Sequence, residues 1–316
     1  MQTPVRIGTR ASALARAQSG MMQRAIARAL GVPDDRVEET CPLVLITTTG
    51  DRITDRRLIE AGGKALFTKE IEEALLDGRI DLAVHSMKDV PADMPPGLAI
   101  AAIPEREDPS DAFVSRNWSS LADLPEGARL GTASLRRQAQ SLRARPDLRI
   151  EMLRGNVDTR LRRLEDGDFD AILLAAAGLN RLGRGDVIKS RIDPQANPPA
   201  PGQGALALQT RAEDAGAAWL KTLHHTKTAV AVAAERGALT ALEASCRTAI
   251  GAHAWFDGRG LQLVVEALVA DGSDQWRTET DEPMTFGSAP EAEAFEAGRI
   301  AGQQIRLVAG DRLVVA

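Results

Sequence analysis

The chain has 316 residues, a formal net charge of −5 and only two cysteines. Its length is typical of two or three domains, and its 44% hydrophobic and 26% charged residues exclude disordered and fibrous classes. Two cysteines and four histidines exclude a disulfide framework and a four-cysteine zinc site, so we expect no metal centre. The acidic balance and the low aromatic content of 3% argue against a nucleic-acid partner.

The beginning of the chain predicts an α/β unit. A short strand at residues 5–9 is followed by Ser12, a good helix N-cap, and by apolar residues at helical spacing as far as Leu30. A strand at residues 43–46 completes a β-α-β unit, whose two strands should be parallel. Residues 49–63 are polar, charged and aperiodic, which is typical of a lid.

A polar segment follows the next buried strand. Residues 64–76 return to helical spacing, and residues 81–84 are expected to form a short buried strand that leads into polar residues from His85 onwards. Lys88 and Asp89 place a base and an acid side by side there. Asp89 can serve as a general acid/base or accept a ligand N–H group, and Lys88 can pair with a carboxylate. An ordinary salt bridge in a loop explains the pair equally well.

The rest of the chain predicts a second α/β block and an α+β region. Residues 105–199 contain four short strands, and helices follow Ser134, Asn156 and Ala176. A rigid proline-rich stretch then leads to a strand at residues 204–209 that we expect to return to the first block. The last region combines a helix, two strands and a final helix, the pattern of an α+β domain with an antiparallel sheet. We therefore expect three domains, at residues 1–104 with 200–222, 105–199 and 223–316.

An arginine concentration stands out within this acidic chain. Residues 129–163 hold ten arginines and three acidic residues, a formal balance of +7. Three predicted strand-to-helix turns share one chemistry, in which arginines accompany small or hydroxyl residues at a helix start. Free backbone N–H groups at such a start attract anions, and guanidinium groups add bidentate donors. We expect anion binding at Arg10, Arg136, Arg154 and Arg160, in a crevice at the carboxyl ends of the strands.

Two alternatives apply to the basic residues. Four arginines of the same segment, at positions that fit a solvated helix face, are not expected to bind a ligand; they are Arg143, Arg145, Arg162 and Arg163. RNA binding is the other functional interpretation of the segment, which the missing aromatic residues and the acidic total disfavour.

Cys246 lies in a turn of small residues beside Arg247. A neighbouring cation favours the thiolate form of a cysteine, but a lone cysteine is also commonly a small buried hydrophobic residue. Cys41, which precedes Pro42 and a strand, fits the second description.

These features together resemble the porphobilinogen deaminase family, also called the hydroxymethylbilane synthase family. The resemblance covers essentially the whole chain and rests on seven stretches in order, at residues 7–12 (IGTRAS), 62–67 (GGKALF), 83–91 (AVHSMKDVP), 105–113 (EREDPSDAF), 131–138 (GTASLRRQ), 153–156 (LRGN) and 201–204 (PGQG). The cysteine loop departs from the family pattern, because Ala244 and Ala249 stand where glycine and proline are common.

The resemblance implies a transferase that joins four porphobilinogen units head to tail into hydroxymethylbilane and releases four ammonia molecules. It implies a dipyrromethane cofactor, attached by a thioether to Cys246, and a catalytic carboxylate at Asp89. It also implies two lobes like those of type II periplasmic binding proteins plus a third α+β domain. A cytoplasmic monomer with no membrane contact is expected. A non-catalytic two-lobe protein that binds polycarboxylates is the alternative.

The family pattern assigns further residues. The cofactor carboxylates are expected to bind at Ser86, Lys88, Thr132, Ser134, Arg136 and Arg137. The substrate or growing chain is expected to contact Arg10, Ser12, Lys64, Arg154, Arg160, Arg181 and Gln203.

Overall fold

The computed structural model describes residues 4–52, 67–242, 249–280 and 284–313. The strands in this part of the chain are β1 (Ile7–Thr9), β2 (Leu43–Leu45), β3 (Leu82–Ser86), β4 (Leu98–Ala102), β5 (Asp111–Ser115), β6 (Arg129–Gly131), β7 (Arg149–Glu151), β8 (Ala171–Ala175), β9 (Ser190–Ile192), β10 (Leu206–Arg211), β11 (Ala249–Phe256), β12 (Leu261–Leu268) and β13 (Gln275–Glu279). The helices are α1 (Ala13–Ala29), α2 (Val37–Thr40), α3 (Thr49–Arg52), α4 (Lys69–Leu76), α5 (Leu135–Ala144), α6 (Val157–Glu165), α7 (Ala176–Arg181), α8 (Ala218–Leu223), α9 (Thr226–Leu242) and α10 (Pro290–Ala309). None of these helices is long and apolar enough to cross a membrane.

The chain divides into two compact units. One comprises Met1–Glu107 and Ala205–Ala229, and the other comprises Asp108–Gly204 and Val230–Ala316. Each contains a five-stranded mixed sheet, and the second also contains a three-stranded antiparallel sheet. The finer division into three domains stays a prediction.

The sheet of the first unit has the order β2-β1-β3-β10-β4. Strands β1, β2 and β3 are parallel, as the β-α-β pattern predicted, and β10 runs antiparallel to both β3 and β4. Helix α1 covers this sheet because Met22 and Ile26 of its apolar stripe pack in one cluster with Ile7 and Leu208. The prediction that the strand after the proline-rich stretch returns to the first block is confirmed.

The sheet of the second unit, β7-β6-β8-β5-β9, repeats this topology. Strands β6, β7 and β8 are parallel, and β5 runs antiparallel to β8 and β9. Position by position, β7, β6, β8, β5 and β9 correspond to β2, β1, β3, β10 and β4. The expected pair of α/β lobes is confirmed by this shared strand order.

The antiparallel sheet β11-β12-β13 packs with α9 and α10 in one apolar core. The two helices approach closely through glycines, since a Cβ at Gly298 would lie 1.8 Å from the carbonyl oxygen of Ala234. The predicted α+β arrangement is confirmed. Strand β13, however, is a third strand where the sequence predicted two. The pattern missed it because Trp276 is its one buried apolar residue.

Strand β3 is also longer than expected. His85 and Ser86 belong to it rather than to the segment that follows it. The sequence pattern ended the strand at Val84 because these two side chains are polar.

Candidate functional site

A cavity of about 70 Å³ lies in the first unit at the carboxyl ends of β1 and β3. It is lined by Arg10, Ser12, Leu14, Ala15, Gln18, Phe67, Thr68, Val84, His85, Ser86 and Asp89. The geometry follows from the topology, because parallel neighbours β1 and β3 end at the same edge of the sheet. Four residues that the sequence assigned to function are therefore brought together, namely Arg10, Ser12, Ser86 and Asp89.

The cationic side of the cavity is built around Arg10. Its guanidinium carbon lies 4.1 Å from the ring centroid of Phe67, a cation–π contact. Ser12 caps α1, as predicted, because its Oγ accepts a hydrogen bond from the backbone N–H of Ala15 at 3.4 Å. The N-terminal end of α1 therefore adds its own attraction for anions to the charge of Arg10.

The lining of the cavity also carries acceptors. Asp89 ends a single helical turn, Met87–Asp89, directly after β3, and it is half-buried. Ser86 accepts a hydrogen bond at its Oγ from the Gln18 side-chain amide at 3.0 Å. Lys88 belongs to the same turn but does not line the cavity. The cavity thus combines a cation, hydroxyl groups and a carboxylate within one small volume.

In the second unit, Arg136 and Arg137 converge on one buried carboxylate. Nη1 of Arg136 lies 2.7 Å from Oδ2 of Asp111, and Nη2 of Arg137 lies 2.7 Å from Oδ1. All three side chains are buried. Burial alone raises the pKa of Asp111, but the charges of Arg136 and Arg137 outweigh it and hold that pKa well below its usual range. The cluster therefore keeps one formal positive charge.

The turn before α5 supports this cluster. Ser134 caps α5 through its Oγ, which accepts from the backbone N–H of Arg137 at 3.4 Å. Oγ1 of Thr132 accepts from the Ser134 N–H at 3.1 Å. The side-chain amide of Gln203, expected among the substrate contacts, donates to Asp111 at 2.9 Å.

The turn before α6 leaves a guanidinium group available. Asn156 caps α6 by accepting from the Thr159 N–H at 2.8 Å, and Nε of Arg160 donates to the Gly155 carbonyl at 2.8 Å. Gly155 has φ +106°, where a side chain would be strained. Nη1 of Arg154 is buried and has no hydrogen-bond partner among the residues that the structure describes. Such a donor is suited to an anion.

Other predicted residues occupy different surroundings. Nη2 of Arg181 donates to the Gly204 carbonyl at 2.6 Å. Arg145, expected on a solvated face, is instead tied to Asp147 at 2.8 Å and to the carbonyls of Leu121 and Ala122. Both carbonyls belong to the segment between β5 and β6.

Some predictions fall outside the described residues. These are Lys64, Cys246 and most of the predicted lid at residues 49–63. Cys41 is fully buried, as expected, and burial raises the pKa of its thiol.

Sequence reasoning missed three contributors. One feature of the sequence could have indicated Asp111, namely an acidic residue directly before the apolar residues of a strand. Phe67 had none, because nothing local reveals that its ring lies under Arg10. The partner of His85, Gln209, comes from a strand 124 residues away.

The comparisons with known proteins point to one family. Residues 5–218 match the family described as porphobilinogen deaminase, dipyromethane cofactor binding domain, which defines the class as proteins with a domain that binds that cofactor. A porphobilinogen deaminase from Caulobacter vibrioides (strain NA1000 / CB15N) is 61% identical over 318 residues, 99% of this chain and 98% of that protein. One from Phenylobacterium zucineum (strain HLK1) is 60% identical over 317 residues, 99% of each chain. The chain belongs to the porphobilinogen deaminase family, transferases of tetrapyrrole biosynthesis.

Solved structures give a weaker likeness. The periplasmic aliphatic sulphonate binding protein SsuA from Escherichia coli is 18% identical, with 76% of this chain and 70% of that chain covered and a TM-score of 0.41. The fold assignment above rests on strand order and pairing within this chain.

Proposed function

We propose that this chain condenses four porphobilinogen molecules head to tail into hydroxymethylbilane, with release of four ammonia molecules, from a dipyrromethane cofactor attached to Cys246 by a thioether. The observation that carries the proposal is the cavity at the ends of β1 and β3, which brings Asp89 and Arg10 together. Family membership supports the reaction.

The donors and acceptors of the described residues fit the cofactor. Each of its pyrroles carries an N–H group and two carboxylate arms, so it needs an acceptor near the rings and cations at the periphery. Asp89 supplies the acceptor. Arg10 supplies a cationic donor, and so does Nη1 of Arg154, for which the described part of the chain offers no acceptor.

Asp89 is proposed as the catalytic residue. When bound, the cofactor supplies the pyrrole α-carbon to which the first substrate unit is joined. The Asp89 carboxylate accepts a hydrogen bond from the pyrrole N–H group of the substrate and stabilises the positive charge that develops on the ring as ammonia leaves. It then takes up the proton that the α-carbon releases when the new bond has formed. Arg10, held against the ring of Phe67, binds a substrate carboxylate and fixes the ring relative to Asp89.

The remaining assignments concern residues that bind the carboxylates of the cofactor and of the growing chain. We propose that the net positive cluster around Asp111 attracts the cofactor carboxylates, together with the hydroxyl groups at the start of α5. The full proposed set for the cofactor is Ser86, Lys88, Thr132, Ser134, Arg136 and Arg137. Substrate and growing chain are assigned to Arg10, Ser12, Lys64, Arg154, Arg160, Arg181 and Gln203.

Intact mass spectrometry tests the covalent cofactor. We expect the purified protein to be heavier than its sequence by one dipyrromethane, and Cys246→Ser to lack the added mass. Cys41→Ser is the matched control and should keep the added mass, because Cys41 is buried in the core. A bare sequence mass in a preparation that consumes porphobilinogen would overturn the proposal.

We also propose that the enzyme is a cytoplasmic monomer. The free, buried thiol of Cys41 agrees with a reducing compartment. Light scattering coupled to size exclusion should give a mass near 33.8 kDa, and a dimer mass would contradict the monomer.

A further inference from the structure

His85 lines the cavity at the ends of β1 and β3, and a hydrogen bond to a neighbouring strand holds one nitrogen of its ring. The residue is buried in β3, and its Nε2 lies 2.9 Å from Oε1 of Gln209 on the neighbouring strand β10. Gln209 is itself fully buried and makes a second hydrogen bond, from its side-chain nitrogen to Oε1 of Glu72 on α4 at 3.3 Å. Three side chains from three elements thus form a line that ends at the cavity.

The chemistry of the three side chains decides which atom donates and which accepts in each of the two hydrogen bonds. A carboxylate oxygen only accepts hydrogen bonds, so the amide nitrogen of Gln209 must face Glu72. The amide oxygen of Gln209 therefore faces His85, and Nε2 of His85 must carry the hydrogen. In a neutral imidazole the other nitrogen, Nδ1, is then an acceptor.

The surroundings keep the ring neutral. Burial lowers the pKa of His85 to about 4, and the Gln209 hydrogen bond and the charge of Asp89 oppose that shift only in part. The positive charge of Arg10 lowers this pKa further. At neutral pH the ring therefore offers a lone pair at Nδ1.

Nδ1 has no hydrogen-bond partner among the residues that the structure describes, since the one hydrogen bond of the ring is made by Nε2. Nδ1 is not one of the fully buried polar atoms that lack a partner, so it stays accessible and a ligand donor can take the place of solvent there. The ring lines the cavity beside Asp89, so the ligand in that cavity is the available source of such a donor.

We propose that His85 is a substrate-binding residue whose Nδ1 accepts a hydrogen bond from an N–H group of the pyrrole substrate, in the tautomer that Gln209 and Glu72 impose. The identity of the ligand rests on the proposed function, whereas the tautomer does not. Asp89 and His85 then act as two acceptors for a substrate rich in N–H donors, while Arg10 binds its carboxylates.

The tautomer is measured by ¹⁵N NMR of holoenzyme labelled at histidine nitrogens. The spectrum contains four histidines, and His85 is assigned as the one missing in His85→Asn. We expect a neutral ring protonated at Nε2 at pH 7, and loss of this single form in Gln209→Leu. A ring protonated at Nδ1, or charged at pH 7, would overturn the proposal.

Steady-state kinetics test the contact with substrate, in protein whose loaded mass has been verified. His85→Phe removes the acceptor and should raise the KM for porphobilinogen about 10-fold, the effect of one hydrogen bond. His85→Asn keeps a polar atom near the Nδ1 position and should recover part of that loss, which a purely space-filling role would not produce. His224→Asn, outside the cavity, should leave KM unchanged.

The two failures are distinguishable. A wild-type protein that does not consume porphobilinogen refutes the proposed function and this ligand with it. A wild-type protein that does so, while His85→Phe folds and keeps the same KM, refutes the role of His85 alone.

Discussion

Nη2 of Arg137 lies 2.7 Å from Oδ1 of Asp111, inside a cluster that buries both side chains. A second guanidinium, from Arg136, binds the other carboxylate oxygen at the same distance. Arg136 and Arg137, which we expected to bind the carboxylates of a ligand, thus already bind a carboxylate of the protein itself. Asp111 orients both arginines and cancels one of their two charges.

Replacing Asp111 should be costly for stability. Asp111→Asn leaves two buried guanidinium groups without a counter-charge, and we expect a loss of roughly 3–5 kcal/mol in the free energy of unfolding. Urea denaturation followed by circular dichroism measures it.

The matched control breaks an exposed pair. Glu39→Gln removes the partner of Arg36 on the surface, where such pairs contribute little to stability. Equal losses in the two variants would show that the Asp111 cluster is not a buried charge network.

Asp89→Asn should lower kcat by roughly 10² to 10⁴-fold, because the amide cannot take up the proton from the pyrrole carbon. The loaded mass and the circular dichroism spectrum should stay close to wild type. Porphobilinogen consumption measures the rate, and the exposed Asp93→Asn is the control. Wild-type turnover in Asp89→Asn would remove this residue from the mechanism.

The neutral state of His85 predicts a pH dependence of stability. Its pKa falls from an ordinary 6.5 to about 4 in the folded protein. Below pH 6.5 the unfolded chain therefore binds a proton that the folded chain does not, and stability decreases as the pH falls from 6.5 to 4. The full loss is about 3 kcal/mol.

Urea unfolding at several pH values tests this dependence against His85→Asn, in which that part of the slope should vanish. Asp89 and Arg10 are the charged groups that act on the ring. An identical slope in the variant would place the proton uptake elsewhere.

The contact between α9 and α10 depends on the absence of a side chain. Gly298→Ala would place a Cβ 1.8 Å from the Ala234 carbonyl oxygen, so the helices must separate. We expect a loss of about 1–3 kcal/mol, measured by thermal or urea unfolding. Gly20→Ala, in α1 with no atom closer than 3.8 Å to the added Cβ, should be neutral or stabilise by up to about 1 kcal/mol.

Local chemistry made part of this structure predictable. Ser12, Ser134 and Asn156 were each expected at a helix start, and each caps the predicted helix, because capping involves residues only three positions apart. Strands made of apolar runs were also predictable, because the signal lies in neighbouring residues.

Long-range partners were not predictable in this way. Asp111 meets arginines 25 and 26 residues later in the chain, and Gln209 meets His85 across two strands distant in sequence. No periodic pattern encodes such pairs. The sequence therefore predicted that Arg136 and Arg137 bind carboxylates of a ligand, but not that they share the carboxylate of Asp111.

The position of β10 in the interior of the first sheet has a consequence for synthesis on the ribosome. Residues 111–192 contain every strand of the second sheet, which can assemble as soon as they emerge. The first sheet lacks β10, the strand between β3 and β4, until residue 211 is made. Until then β3 and β4 each expose an unpaired backbone edge. The lobe that is begun first is thus completed last, and nascent chains stopped before β10 should be the ones that depend most on chaperones.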